Sequence, residues 1–222
     1  AIISLSDSAL LEMRYYRNNI LHCYVLPSLI CRMLDRSAKI NQTELIENTQ
    51  NLMALIKTEL YLWQSSQEIE QQVMSVLHAL ESNNLVKQSK AGFWSLAMAE
   101  NDTNKEGQRQ RISVRLMGEC IDETMQRLAI ITSLTSRLAP IRKSDLEAKV
   151  VAIAKRLSVL NNINAPEFVD KKAQALLINA MVEHAYIGKD NEGCLVDNST
   201  LANIKSVVTN LVDIEVLQSI VR

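Results

Sequence analysis

The chain has 222 residues, of which 47% are hydrophobic and 22% charged, and its 24 Lys and Arg against 25 Asp and Glu give a formal net charge of −1. A chain of this size buries one large core or two small ones, its composition is that of an ordered globular protein, and a nearly neutral balance argues against binding nucleic acid through bulk electrostatics. With only 5 Gly and 3 Pro, and without runs of β-branched and aromatic residues, the expected class is mainly α: a helical domain with one small β-hairpin, followed by a C-terminal helical bundle.

In chain order, Ser6, Asp7 and Ser8 offer caps for a first helix. Its apolar positions Leu10, Ile20, Leu21, Tyr24 and Val25 run up to Pro27 and resume through Leu29, Ile30, Met33 and Leu34, so Pro27 should kink or interrupt it. Asn41 with Glu44, and Ser65 with Glu68, have the spacing of capping boxes and open two amphipathic helices. The stretch NNLVKQSKAGFWSLA, residues 83–97, places short apolar runs on either side of Lys90, Ala91 and Gly92 and reads as a hairpin, the one sheet expected. ENDTNKEGQRQ, residues 100–110, is uniformly polar and reads as a loop or linker. The expected organisation is a helical subdomain with the hairpin (1–99), a polar linker (100–111) and a second helical subdomain (112–222), the two subdomains either separate or continuous.

Beyond the linker, one long helix is expected from about Ser113 to Ala139, stopped by Pro140. Ser144 with Glu147 repeats the capping-box spacing and opens a helix through about Leu160. Pro166 stands where proline is tolerated at a helix start, with Glu167 and Asp170 in the first turn where the helix dipole favours carboxylates, and Gly188 should end that helix. Asn198 and Ser199 then lead into a final helix carrying Leu201, Ile204, Val208, Leu211 and Leu217. The longest apolar stretches are cut by Arg32 or bracketed by Arg127 and Arg137, short of the roughly 20 residues a membrane span needs. Cys23, Cys31, Cys120 and Cys194 have no CxxC spacing, which points to reduced, buried thiols rather than zinc ligands or disulfides. The chain opens on AIISL without an initiator Met, as a piece of something longer would.

Chemistry-bearing motifs are scarce. His22, His78 and His184 each sit in a helical pattern with no neighbour that orients the ring, so a structural role is the ordinary reading of each. Five scattered glycines form neither GxGxxG nor GxxxxGK[ST], and there is no GxSxG elbow. No metal site and no cofactor are expected. The order helix, helix, hairpin over residues 41–97 imitates a winged helix-turn-helix, with Lys87 and Lys90 in the wing. Its second helix, however, carries Glu68, Glu70 and Glu81 and no Lys or Arg, so it would repel a phosphate backbone.

RYYRNNI, Arg14 to Ile20, followed by His22 and LPSL, Leu26 to Leu29, resembles a segment in the C-terminal region of the bacterial membrane-associated glycerol-3-phosphate acyltransferases. RLSVLNNINAPEFVDK, Arg156 to Lys171, is similar to a second segment of that family, and KTELYLW, Lys57 to Trp63, lies between them where a related motif is expected. The resemblance covers most of the chain and is weakest over residues 83–109 and after Tyr186. It marks His22, Pro27, Arg156, Asn164, Pro166, Glu167, Phe168 and Asp170 as signature residues with structural roles.

Such enzymes transfer an acyl group from acyl carrier protein or coenzyme A to the first hydroxyl of glycerol 3-phosphate, with an HxxxxD histidine as base and its aspartate as orienter. That motif is missing here: Pro27 follows His22 at the aspartate position, Asn83 follows His78, and Lys189 follows His184. The resemblance therefore implies a non-catalytic C-terminal domain that packs against an upstream catalytic domain of the same protein. That protein would sit peripherally on the cytoplasmic face of the bacterial inner membrane, meeting the acyl donor only through the whole enzyme, with this piece soluble and without a transmembrane helix.

The implied role gives the polar opening of the first helix a use. Arg14, Arg17 and Asn18 have i, i+3 and i+4 spacing, Tyr15, Tyr16 and Asn19 flank them, and Arg and Tyr are favoured at protein interfaces. These six residues are candidates for an inter-domain surface, against the plainer reading that both arginines pair with Glu12 and Asp7 on a solvated helix. The alternative function is a winged-helix-like module for nucleic acid or protein.

Phosphate contacts supply most non-specific affinity for DNA, so a duplex is expected to give no saturable change in fluorescence anisotropy at physiological salt. Salt-dependent binding that weakens in Lys87→Glu plus Lys90→Glu would restore the nucleic-acid reading.

Overall fold

The computed structural model describes residues 6–57, 59–60, 62, 64–98, 104–161, 163 and 165–221, without the side chains of residues 7–8, 10–11, 14–19 and 221. Helix α1, Asp7–Arg36, begins where the Ser6 hydroxyl accepts from the Ala9 amide at 3.3 Å and runs 30 residues, about 45 Å at 1.5 Å per residue. Pro27 lies inside it without interrupting it. An internal proline costs roughly 3 kcal/mol, but Val25, Leu26, Leu29 and Ile30 on either side are all buried, at about 1.5 to 3 kcal/mol for each such side chain. Packing outweighs the missing hydrogen bond.

A short strand β1, Ile40–Asn41, leads into α2, Gln42–Ile56, and then α3, Ser66–Ser82. At α2 the box is incomplete, because Asn41 accepts from Thr43 rather than from Glu44. At α3 it is complete: Ser65 accepts from the Glu68 amide and donates its own amide to the Glu68 carboxylate, hydrogen bonds that hold that carboxyl below its ordinary range. The hairpin forms as β2, Val86–Gln88, and β3, Phe93–Leu96, turning through Gly92 at φ +77°. The sheet is antiparallel in the order β1-β3-β2, with Ile40 opposite Trp94 and Lys87 opposite Ser95. Trp94 is fully buried beneath it, its indole N–H directed at the Gln42 amide oxygen.

The polar segment read as a loop is helical from Lys105 onward; residues 99–103 lie outside the described residues. Asn104 caps α4, Lys105–Glu119, and the Lys, Glu, Gln and Arg that made the stretch look like linker are good helix formers. The single long helix expected over 113–139 is two: α4, and α5, Asp122–Leu138. The break falls at Cys120 and Ile121, where amides turn back to Met117 and Gly118 carbonyls and Ile121 is driven fully into the core.

α6, Lys143–Leu160, starts at Arg142 without a side-chain cap, so the Ser144 box does not form. Pro166 opens only the single turn α7, Pro166–Val169, because Asp170 leaves the helix to cap α8, Lys171–Glu183, through the Ala173 amide at 2.8 Å. α8 ends at Glu183, with Ala185 at φ +58°, and Gly188 belongs instead to a second antiparallel sheet that the sequence did not suggest: β4, Gly188–Lys189, against β5, Leu195–Val196. The last expected helix is also two, α9, Ser199–Leu211, and α10, Ile214–Val221.

One cluster of buried apolar side chains runs from Val25 on α1 to Ile220 on α10, drawing on residues before and after the polar segment. Among them sits a charge. Arg32 of α1 is 3% exposed; its Nε donates to the Leu211 carbonyl at 2.8 Å, and its terminal nitrogen lies 3.1 Å from Asp122 at the start of α5 and 3.8 Å from Asp213 between α9 and α10. Arg36, one turn on, pairs with the same Asp213. α4 closes the site from the other side through Gly118, where a Cβ would meet the Arg32 backbone at 3.2 Å. Burial pushes the Asp122 carboxyl up to about 6, against the downward pull of Arg32, whose contact is an ion pair without hydrogen-bond alignment.

Folded Asp122 thus holds its proton more tightly than in the unfolded chain, where the carboxyl titrates near 3.8. Its contribution to stability is fully present below about pH 4 and is lost as pH rises through about 6. Urea unfolding across that window should show stability falling more steeply with pH in the native chain than in Asp122→Asn; parallel curves would contradict the assignment. Phe168 in α7 is fully buried, and Phe168→Ala should cost about 3 to 5 kcal/mol. Val159→Ala, at a side chain 82% exposed, should stay within about 0.5 kcal/mol in the same assay.

Candidate functional site

The three histidines are far from forming a catalytic set. His22 is exposed on α1, His78 is exposed on α3 with its ring centroid 6.4 Å from that of Trp94, and His184 is the exposed C-cap of α8. Among the described residues no carboxylate pairs with any of them, and no three His, Cys, Asp or Glu side chains group as metal ligands. Of the cysteines only Cys31 is buried, its thiol pushed up to about 12 mainly by desolvation; Cys23 and Cys120 are exposed and Cys194 half-buried, so the expectation of buried thiols holds for one.

The second signature segment is a framework rather than a reacting group. Arg156 on α6 reaches across to the Ser219 carbonyl of α10. Pro166 is exposed at the first position of α7, Glu167 is half-buried, and Phe168 fills the core while its carbonyl accepts from buried Gln174 at 2.7 Å. Asp170 caps α8; Asn164 lies outside the described residues. In the first segment Pro27 is half-buried within α1. Among the described residues, none of the clefts below is lined by both segments.

KTELYLW contributes an ion pair that sequence reasoning did not single out. Glu59 accepts from the Arg127 guanidinium of α5, both largely buried at 12% and 3% side-chain exposure, and Arg127 also donates to Thr124. The only signal in the sequence was an arginine amid apolar helix residues. Thr58, Tyr61 and Trp63 of the motif lie outside the described residues.

The six residues expected at an inter-domain surface, Arg14, Tyr15, Tyr16, Arg17, Asn18 and Asn19, lie along α1, and their side chains are outside those described. Their helical neighbours are informative. Met13, Ile20 and Tyr24, spaced by seven and four and therefore on one face, are 58%, 51% and 42% exposed. On α4, which packs along α1, Ile112 and Leu116 at i and i+4 are also more than half exposed. Two adjoining helices thus each present apolar side chains to solvent.

Clefts between the helices are the other places where side chains converge. One, of about 400 Å³, lies between α2, the end of α8 and α9; there the Tyr186 hydroxyl donates to Asn51 at 2.9 Å, with its acidity lowered by burial and then by Glu47. A second, of about 720 Å³, lies beside Arg36, Arg115, Asp213 and Glu215. Neither brings a nucleophile to an orienting base.

Sequence comparison supplies what the geometry does not. The family model described as the glycerol-3-phosphate acyltransferase C-terminal region matches residues 1–190. The chain is 60% identical over 222 residues, its whole length, to a glycerol-3-phosphate acyltransferase of Colwellia psychrerythraea, of which it covers 26%. It is 32% identical over 211 residues to that of Aeromonas hydrophila, covering 95% of this chain and 24% of that protein, and 31% identical over 221 residues to that of Shewanella oneidensis, covering 99% and 25%. The chain spans about a quarter of the length of these curated relatives. The signature segments, the buried framework they build and the family match agree: the chain belongs to the glycerol-3-phosphate acyltransferase C-terminal region family.

Proposed function

We propose that the chain is the non-catalytic C-terminal domain of a glycerol-3-phosphate 1-O-acyltransferase, packing against and stabilising an upstream catalytic domain that performs the first acylation of phospholipid synthesis. The observation that carries this reading is the match to a region that makes up about a quarter of enzymes named for that activity, in a chain without an HxxxxD motif. The exposed apolar faces of α1 and α4 support α1 as the docking helix, flanking the Arg14 to Asn19 segment. The shared core supports the two halves acting as one rigid unit. Among the described residues no helix is long and apolar enough to cross a membrane, and in this reading the whole enzyme meets the cytoplasmic face of the inner membrane peripherally, with the acyl donor bound upstream.

Two measurements test the reading. The chain by itself should transfer no acyl group to glycerol 3-phosphate from acyl carrier protein or coenzyme A above a protein-free blank; turnover lost on replacing His22, His78 or His184 would refute a non-catalytic role. Arg14→Ala with Arg17→Ala should shift unfolding of the chain by no more than about 0.5 kcal/mol, as surface changes do. In the full-length enzyme the same pair would leave partner groups unpaired, at about 1 to 3 kcal/mol or more, and activity or yield should fall. An unfolded chain would place the arginines in its own framework, and an unaffected full-length enzyme would leave them on a solvated face.

A further inference from the structure

A groove of about 400 Å³ lies where α5, α9 and α10 meet. α5 lines it with Ser133, Ser136 and Arg137, at i, i+3 and i+4; α9 adds Lys205 and Thr209, one turn apart; α10 adds Leu217 and Ile220, also one turn apart. Each helix therefore turns a single face to the groove, two of them carrying cations and hydroxyls and the third aliphatic side chains.

The charge pattern separates this groove from the other two. Glu47 lines the first cleft and Asp213 with Glu215 the second, whereas among the described residues no carboxylate lines this one. Arg137 has an ordinary role available, since it stands in the last turn of α5 where a cation offsets the helix dipole. Lys205 has none. It lies in the middle of α9, and its neighbours three and four positions away, Leu201, Ala202, Val208 and Thr209, offer no carboxylate. Among the described residues it has neither ion pair nor hydrogen bond, yet it is only half-exposed. Lys205 thus brings to the groove a positive charge that no carboxylate among the described residues offsets, and an anion there would pair with it. The hydroxyls of Ser133, Ser136 and Thr209 would donate to the anion's oxygens, and Leu217 and Ile220 would accept an alkyl segment at roughly 25 cal/mol per Å² removed from water.

We propose that this groove binds an anion-headed, single-chain amphiphile, with its phosphate or carboxylate head at Lys205, Arg137 and the hydroxyls and the first carbons of its chain along Leu217 and Ile220. The assignment uses only the lining of the groove and stands apart from the function proposed above.

Titration of the 15N-labelled chain below the critical micelle concentrations, followed by NMR shifts, tests it with four probes: octyl phosphate, octanoate, inorganic phosphate and octyl glucoside. Octyl phosphate, octanoate or both should saturate shifts in α5, α9 and α10 at least tenfold more tightly than inorganic phosphate or octyl glucoside. Saturation by octyl phosphate alone assigns a phosphate-headed lipid, and saturation by octanoate a free fatty acid. Lys205→Glu should weaken binding at least tenfold, Lys205→Arg should retain it, and Leu217→Ser should bring the octyl anion down toward its headgroup alone. The variants are half-exposed positions, and their unchanged spectra away from the groove report that they fold; a variant that does not fold leaves the probe comparison in the native chain to decide. The proposal is overturned by an absence of saturation at low millimolar anion, by octyl glucoside binding as well as the octyl anions, or by affinity that Lys205→Glu leaves unchanged.

Discussion

The buried guanidinium of Arg32 is the constraint around which the helices are arranged. A charge in the interior is tolerated only when its donors are satisfied, and a lone ion there would cost several kcal/mol. Arg32 is met by a carbonyl at the end of α9, by a carboxylate two residues beyond it and by a carboxylate at the start of α5, so two separate parts of the chain must arrive at α1 in register. The close pass of Gly118 fixes α4 at the same place. Apolar burial supplies most of the favourable free energy, but it is nearly indifferent to small slides of one helix over another; a guanidinium with fixed donor directions is not. Arg127 and Glu59 do the same between α5 and the segment after α2, on a smaller scale.

Periodicity carried the secondary structure well where a helix had an amphipathic stripe and a cap of its own. α2, α3, the start of α9 and the β2–β3 hairpin stand close to where their sequences put them. The misplaced boundaries have a common cause, which is that they depend on partners outside the window being read. Nothing local in ECIDE says that Ile121 must leave the helix to fill the core, and nothing in PEFVDKK says that Asp170 is better used as a cap for the following helix than as a member of the preceding one. The second sheet is two residues per strand, too short for any alternation to register.

The site was legible in a different way. Motif resemblance found the family and the absence of the base-and-orienter pair, while most of the residues that shape the surface belong to no motif. Met13, Ile20, Ile112 and Leu116 are ordinary helix residues in sequence, distinguished only by being left uncovered after α1 and α4 have packed. Nothing near Asp122 in sequence sets it apart from an exposed helix-start carboxylate; it is the fold that buries it beside Arg32, 90 residues away.

The span of the Arg32 contacts bears on how the chain reaches this arrangement. Arg32 and Leu211 are 179 residues apart, roughly double the separation of Arg32 from Asp122. Loop-closure entropy grows only logarithmically, so the longer closure costs about 0.6 kcal/mol more than the shorter once the chain is complete. During synthesis the situation is different, because α1 emerges well before the carbonyl it needs. At roughly 5 to 20 residues per second, some ten to forty seconds pass in which that guanidinium must remain hydrated and the apolar flank beside it uncovered. This region of a nascent chain is therefore open to non-native association through that interval, and the contact of Arg32 with Leu211 can close only after its end has emerged.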